Sequence, residues 1–224
     1  MSMSQLLLIM ANPEIQIKLC DSVTLLNDAL DRGLYQAVEE CFAAPPFNEK
    51  ITPSRVEFYF EKYVRLGTLH LAYNGDRPIA FVGTVPLIET KDLGELSLLG
   101  ASVYWQGKMV TLDRAFLLEQ TQNRIDRNGI EKFEYVADVG VALDYRQQGL
   151  AKRMLQTLFT YFDATTPYIL RVTSDPDYAH IVELYQKVGF TVLPFTQIVE
   201  YSNSEGKLIQ NERFICVKLP QTCG

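Results

Sequence analysis

Apolar residues recur along the chain with two different periods, and these periods predict alternating strands and helices. Residues 14–20 alternate polar with apolar side chains, which is the period of a half-buried strand. Apolar residues at helical spacing follow over 25–38, behind Asp21 or Ser22 as the N-cap. Further along the chain, the same patterns predict strands at Thr68–Tyr73, Ile79–Val85, Phe133–Val141, Tyr168–Thr173, Phe190–Tyr201 and Lys207–Leu219, and helices at Pro53–Leu66, Leu150–Phe162 and Asp177–Val188.

The composition is that of a globular protein. Of the 224 residues, 47% are hydrophobic and 21% are charged, which excludes disordered and fibrous classes. We expect one domain over residues 14–219, with an N-terminal tail at 1–13 and a C-terminal tail at 220–224. The formal net charge of −6 argues against a nucleic-acid partner and favours a cationic or amine-bearing one.

The cysteines and the N-terminal apolar run indicate the compartment. The four cysteines are scattered without a C-x-x-C pair, so we expect reduced thiols and no metal site. The apolar run at 6–10 is too short to span a membrane, and no Lys or Arg precedes it as in a signal peptide. The sequence therefore predicts a cytoplasmic protein that is not bound to a membrane.

The turn between the strand Phe133–Val141 and the helix Leu150–Phe162 carries the most distinctive chemistry. Gly149 stands at the helix start, where backbone N–H groups lack helical partners and converge on one place that suits a phosphate or pyrophosphate. Arg146 and Lys152 add positive charge there. No Lys-Ser or Lys-Thr pair follows the glycine, and a single glycine falls short of G-x-G-x-x-G, so neither a P-loop nor a dinucleotide site is predicted.

Two motifs resemble those of the GCN5-related N-acetyltransferases (GNAT). Residues 146–151, after a hydrophobic strand, are similar to the family's R-x-x-G-x-A acetyl-CoA signature, and residues 184–190 are similar to its L-Y-x-K-x-G-F element. The resemblance covers roughly residues 14–219. It implies an α/β fold of the α+β type, in which a central, mostly antiparallel sheet splays beside the turn and helices flank it.

The resemblance also implies an activity. A protein of this family is expected to be an N-acetyltransferase, which moves an acetyl group from acetyl-CoA to a primary amine by direct attack in a ternary complex, without a metal. In the family, the strand before the turn holds the pantetheine arm, and the main chain of the turn holds the pyrophosphate. A bulge or a close approach at Gly140 would help to splay this strand. The coenzyme-binding residues implied here are Val139, Gly140, Val141, Arg146, Gln147, Gln148, Gly149, Leu150, Ala151 and Lys152.

Three residues are candidates for proton transfer. Tyr185 matches the tyrosine that the family often uses as general acid toward the coenzyme A thiolate. Glu134 and Asp138 lie four apart on one predicted strand, so a regular period of two places both carboxylates on one face. Asp138 ranks ahead of Glu134 as general base because it lies closer to Gly140 and the expected thioester.

The segment 86–132 departs from the family pattern because it is far longer than a hairpin connection needs. Within it, two short strands at 102–105 and 109–112 are predicted, followed by a helix from Asp113 to Arg127 that stops at Asn128-Gly129. The segment is either cladding over the sheet or a lid that shapes the acceptor pocket.

The sequence leaves the partner and one alternative function open. The acceptor is an amine-bearing small molecule, a peptide or a protein, and a homodimer remains an open alternative. The alternative function is a non-catalytic acyl-CoA-binding or regulatory domain that kept the phosphate-binding turn and lost turnover.

Overall fold

The computed structural model describes residues 15–88, 96–121, 133–203 and 205–220. The predicted N-terminal tail with its apolar run at 6–10, residues 221–224 of the predicted C-terminal tail, and the stretch 122–129 with the end of the predicted helix lie outside the described residues. The strands are β1 (Gln16–Leu19), β2 (Thr68–Asn74), β3 (Arg77–Pro86), β4 (Ser102–Trp105), β5 (Lys108–Thr111), β6 (Glu134–Val141), β7 (Tyr168–Thr173), β8 (Thr191–Ser202) and β9 (Leu208–Lys218). The helices are α1 (Val23–Asp31), α2 (Leu34–Ala43), α3 (Pro53–Leu66), α4 (Arg114–Gln120), α5 (Leu150–Tyr161) and α6 (Ala179–Lys187).

All of these strands form one sheet in the order β1-β2-β3-β6-β7-β9-β8-β4-β5. Neighbouring strands of the described chain are antiparallel except β6 and β7, which are parallel. These two pair only where Glu134–Val136 lies beside Tyr168–Leu170, and they part beyond that point. The predicted mixed α/β fold with a mostly antiparallel, splayed sheet is confirmed.

Helices cover both faces of the sheet, and each face has its own core. One face, here called face A, packs against α1, α2 and α3 through residues such as Phe60, Tyr63 and Phe81. The opposite face, face B, packs against α5 and α6. Helix α5 buries the apolar stripe Leu150, Met154, Leu155 and Leu158, each worth about 1.5–3 kcal/mol on full burial.

The helical pattern over 25–38 belongs to two helices rather than one. Gly33 has φ of +101°, in the left-handed region, and it separates α1 from α2. The Ser22 hydroxyl caps α1 by accepting from the Leu25 N–H at 3.3 Å. The Thr52 hydroxyl caps α3 in the same way by accepting from the Arg55 N–H at 3.3 Å.

The long connection between β3 and β6 extends the sheet. Strands β4 and β5 form the predicted hairpin, and β4 adds to the outer edge of β8 where Tyr104 pairs with Thr196. Phe116 on α4 packs against Trp105 and Phe195, at ring distances of 5.4 and 5.1 Å. This part of the insertion therefore extends the sheet beyond β8.

Within the described part of the chain, no helix is long and apolar enough to cross a membrane. Among the same residues, no group of three or more His, Cys, Asp or Glu side chains is placed to hold a metal ion.

Candidate active site

The turn after β6 presents a row of unused backbone donors. A 3-10 turn at Leu143–Tyr145 is followed by Gln147 with φ of +61° and Gly149 with φ of +77°. Helix α5 makes its first i→i−4 bond from the Arg153 N–H to the Gly149 carbonyl at 3.1 Å. The amides of residues 150–152 therefore have no helical acceptor. The backbone N–H groups of residues 147–149 also have no acceptor among the described residues.

The turn borders open space. A Cβ built on Gly149 meets no atom within 4 Å. Lys152 lines this space, while the Arg146 Nε donates to the Val141 carbonyl at 3.0 Å and ties the turn to β6. Free amides, open space and added positive charge fit a pyrophosphate. The turn thus fits the coenzyme that the sequence motif implies.

A cleft of about 460 Å³ runs from this turn along β6 toward α6. It passes the gap where β6 and β7 separate, so the β7-facing edge of β6 is unpaired along the cleft. All of the predicted coenzyme-binding residues except Gln148 line the cleft. The Gln148 side chain instead donates to the Asp144 carbonyl at 2.9 Å. Whether these residues hold coenzyme A stays a prediction.

Gly140 lies very close to neighbouring side chains, but the bulge in β6 lies at another residue. A Cβ on Gly140 would lie 2.2 Å from the Phe81 ring and 2.9 Å from the Cys41 sulfur, so the α-carbon is pressed against face A and α2. Gly140 itself pairs regularly with Phe81. The irregularity lies at Ala137, which has no partner because Gly83 pairs with Asp138 and Thr84 pairs with Val136.

This bulge overturns the predicted placement of the two carboxylates. The extra residue shifts the alternation by one, so Glu134 and Asp138 point to opposite faces. Glu134 lies on face B beside Thr84, and it does not belong to the described walls of the cleft. Asp138 lies on face A, lines the cleft, and accepts a short hydrogen bond from the Tyr63 hydroxyl. The prediction of a shared face was wrong because a bulge is invisible to residue counting.

Both carboxyl groups are shifted toward their neutral forms. Burial raises the pKa of Glu134 to about 7, and the Thr84 hydroxyl offsets this only in part. Burial also raises the pKa of Asp138, against the lowering effects of the Tyr63 hydrogen bond and then of the Arg171 charge. A carboxylate with a raised pKa is a better proton acceptor than an exposed one.

A second cavity, of about 390 Å³, opens on face A. It includes Leu96 and Ser97, so one end of the insertion helps to shape it, as the lid alternative requires. Its other walls come from α2, α3, β8 and β9. The cavity and the cleft share the following residues: Phe42, Ala137, Asp138, Arg171 and Arg213. The two spaces therefore meet at Asp138, where β6 leaves β7.

Tyr185 lies on the cleft side of this meeting point. Its ring packs edge-on against Phe190 at 5.8 Å, and burial raises the pKa of its phenol, with smaller contributions from Cys216 and then Asp138. The hydroxyl therefore keeps its proton at neutral pH. Tyr178 and His180 also line the cleft.

Four polar residues at the meeting point were missed by sequence reasoning. They are Glu49, Tyr63, Arg171 and Arg213, which come from a loop, a helix and two strands. The one local signal is a cationic residue inside an apolar strand, as in Tyr168–Thr173, where Arg171 interrupts the buried run. Glu49 is 7% exposed and pairs with Arg213 at 3.4 Å and Arg55 at 3.6 Å.

The chain resembles solved acetyltransferase structures. The ribosomal-protein-S18-alanine N-acetyltransferase from Escherichia coli superposes with a TM-score of 0.52 at 16% identity, covering 94% of this chain and 96% of that one. A GNAT-family acetyltransferase from Streptococcus pneumoniae gives a TM-score of 0.53 at 15% identity, covering 92% and 99%. A putative GNAT-family acetyltransferase from Desulfovibrio desulfuricans gives 0.52 at 12% identity, covering 92% and 98%.

At identities this low, the TM-scores show a shared fold and nothing more. The family is shown by a comparison of the sequence with a family model. A search among curated proteins found no match. The sequence model described as "Acetyltransferase (GNAT) family" matches residues 32–190, which contain both the turn at Gly149 and the motif around Tyr185. The chain therefore belongs to the GNAT acetyltransferase family.

Proposed function

We propose that this protein is an N-acetyltransferase that transfers an acetyl group from acetyl-CoA to a primary amine by direct attack in a ternary complex. The observation that carries the proposal is the meeting of two spaces at Asp138. The cleft from the Gly149 turn approaches this carboxyl group from one side, and the face A cavity approaches it from the other. Such a site holds two substrates end to end, which supplies much of the rate by orientation.

The amides of the Gly149 turn bind the pyrophosphate, and the unpaired edge of β6 holds the pantetheine arm with its thioester near Asp138. An amine in the face A cavity attacks the thioester carbon. A C–N bond forms, the C–S bond breaks, and the nitrogen loses one proton. Asp138 accepts this proton, and the Tyr185 hydroxyl protonates the departing thiolate. Glu49 is less suited as the base because two guanidinium groups already occupy its oxygens.

Coenzyme binding and turnover are tested by two substitutions with different expected outcomes. Gly149→Glu places a carboxylate in the phosphate site and should abolish the thermal shift with acetyl-CoA, a shift worth about 2.7 kcal/mol at a hundredfold excess over Kd. Tyr185→Phe should keep that shift and lower turnover by roughly 10²-fold, measured as thiol release with a panel of amines.

The matched control for Gly149→Glu is Gly206→Glu. Gly206 has the same φ of +77°, and a Cβ there also meets nothing within 4 Å, but it lies in the β8–β9 turn. Its backbone strain is therefore comparable, and its coenzyme binding should be that of the wild type. Coenzyme binding without thiol release for any amine would instead support the non-catalytic alternative. The cytoplasmic location stays a prediction.

A further inference from the structure

Two arginine side chains lie side by side where the cleft and the face A cavity meet. Arg171 on β7 pairs with Ile215, and Arg213 on β9 pairs with Thr173, so the two arginines are diagonal neighbours on face A. Both line both spaces. Burial, followed by the charge of Arg171, lowers the pKa of Arg213. Two neighbouring guanidinium groups of this kind favour a bound anion.

The protein supplies an anion to one of these arginines. Arg213 lies 3.4 Å from Glu49, while Arg55 lies 3.6 Å from the second oxygen of the same carboxylate. Arg171 donates to the neutral Gln197 side chain at 3.3 Å and lies over the Tyr135 ring at 5.8 Å. Within the described part of the chain, no carboxylate lies within ion-pair distance of Arg171. Most of its N–H donors are therefore available to a ligand.

The position of Arg171 narrows the choice of anion. The coenzyme phosphates belong at the Gly149 turn, at the other end of the cleft. At the meeting point only the acyl group and the acceptor are present. An acceptor nitrogen that gives its proton to Asp138 lies close to Arg171, since both side chains line the same junction. The Arg171 charge acts on the Asp138 carboxyl group, so a short molecule that carries both an amine and an anion can reach Asp138 with the amine and Arg171 with the anion.

We infer that the acceptor is an amine carrying a carboxylate on the same or the adjacent carbon, as in a free α-amino acid, and that Arg171, beside Arg213, binds this carboxylate; the inference rests on the transferase function proposed above. A planar guanidinium matches a carboxylate with two parallel hydrogen bonds. The net charge of −6 pointed to a cationic partner, but the local charge at Arg171 decides what binds here.

The other residues of the face A cavity would surround the side chain of the acceptor amino acid. Aliphatic and aromatic side chains from α2, α3 and β8, such as Val38, Val56 and Phe60, form part of its wall. The other part is polar and includes Glu49, Arg55, Gln197 and Glu200. The side chain of an amino acid would pack against the apolar part.

The test uses acceptors that differ only in the carboxylate. Thiol release from acetyl-CoA is measured with L-leucine and L-phenylalanine, with their amides, and with phenethylamine, which is phenylalanine without its carboxylate. We expect kcat/KM for the free amino acids to exceed that for the amides by about 10²-fold, because a site built to bind a group rejects analogues lacking it. Equal rates for amino acids and amides would overturn the inference and leave the transferase function standing.

Substitution of Arg171 separates carboxylate binding from a structural role. Arg171→Gln should raise KM for L-phenylalanine by about 10²-fold and change KM for its amide less than threefold, because only the amino acid uses the charge. The control Arg65→Gln removes an exposed arginine on α3, paired with Glu61, and should leave both values unchanged. Equal losses with both acceptors would mean that Arg171 acts through the fold and would overturn the inference.

Two further measurements test whether Arg171 binds a different ligand. Preference for succinyl-CoA over acetyl-CoA, lost in Arg171→Gln, would assign the arginine to an acyl-chain carboxylate and overturn the inference. Faster acetylation of a peptide N-terminus than of any free amino acid would also overturn it. If no acceptor reacts, calorimetry with N-acetyl-L-phenylalanine and coenzyme A decides. Binding of both supports the site, binding of coenzyme A alone removes the acceptor inference, and binding of neither removes the transferase function as well.

Discussion

Removing one hydroxyl group at Tyr63 should change the pH dependence of the proposed reaction. Tyr63 is fully buried on α3, and its hydroxyl donates to the Asp138 carboxylate. Its ring packs so closely over β3 that a Cβ on Gly83 would lie 2.4 Å from it. Phenylalanine keeps this ring and its contacts. Tyr63→Phe is therefore a change in one hydrogen bond rather than in packing.

The direction and size of the effect follow from the carboxylate. Burial raises the pKa of Asp138, and the Tyr63 hydrogen bond is the largest of the effects that lower it. Losing that bond raises the pKa of Asp138 further. A hydrogen bond to a charged group contributes about 1.5–3 kcal/mol, and 1.36 kcal/mol corresponds to one pKa unit. We therefore expect the pKa of Asp138 to rise by about 1–2 pH units.

The general base must be ionised to accept the proton from the amine. A higher pKa moves the acid limb of the kcat/KM profile to higher pH, because a smaller fraction of Asp138 is ionised at each pH. The profile is measured by thiol release between about pH 5.5 and 9.5, for wild type and for Tyr63→Phe. Tyr161→Phe is the control, since Tyr161 is half exposed on α5 and contacts His70 on face B.

The outcome separates Asp138 from other candidate bases. If the Tyr63→Phe profile keeps the wild-type acid limb, Asp138 does not control that limb, and its assignment as general base fails. A uniform loss of rate at every pH would also contradict the reasoning, because it would place Tyr63 in the chemistry directly.

Two further predictions concern stability. Because the folded pKa of Glu134, about 7, lies above the unfolded value, the wild-type protein loses stability as the pH rises from about 4.5 through 7. In urea denaturation, Glu134→Gln should be more stable than the wild type by up to about 3 kcal/mol at pH 8 and of similar stability at pH 4.5. The same pH dependence of stability in both proteins would contradict this. Gly140→Ala forces a methyl group into Phe81 and should cost about 1–3 kcal/mol. Gly140 does not have a left-handed φ, so this cost comes from the contact alone; an unchanged free energy of unfolding in urea would show that the contact with Phe81 is unimportant.

The Gly149 turn could be predicted from the sequence because its geometry is local. An apolar run predicts the strand, a helical pattern predicts where the next helix begins, and the unpaired amides follow from helix geometry. The structure adds a left-handed φ at Gly149, with open space beside it. The capping residues Ser22 and Thr52 were predictable for the same reason.

The placement of the carboxylates could not be predicted in this way. A period of two puts Glu134 and Asp138 on one face only if the strand is regular. The bulge at Ala137 arises from pairing with β3, whose residues are far away in the sequence. One unpaired residue places Asp138 where the cleft and the face A cavity meet and leaves Glu134 on the opposite face.

The sequence by itself determined most of the strands and helices and the position of the Gly149 turn, because each depends on residues close together in the chain. Only the tertiary structure decided which side chains meet where the cleft and the face A cavity join. Tyr63, Arg171 and Arg213 join Asp138 there from separate elements. Their charges and hydrogen bonds depend on distance in space, which sequence separation does not report.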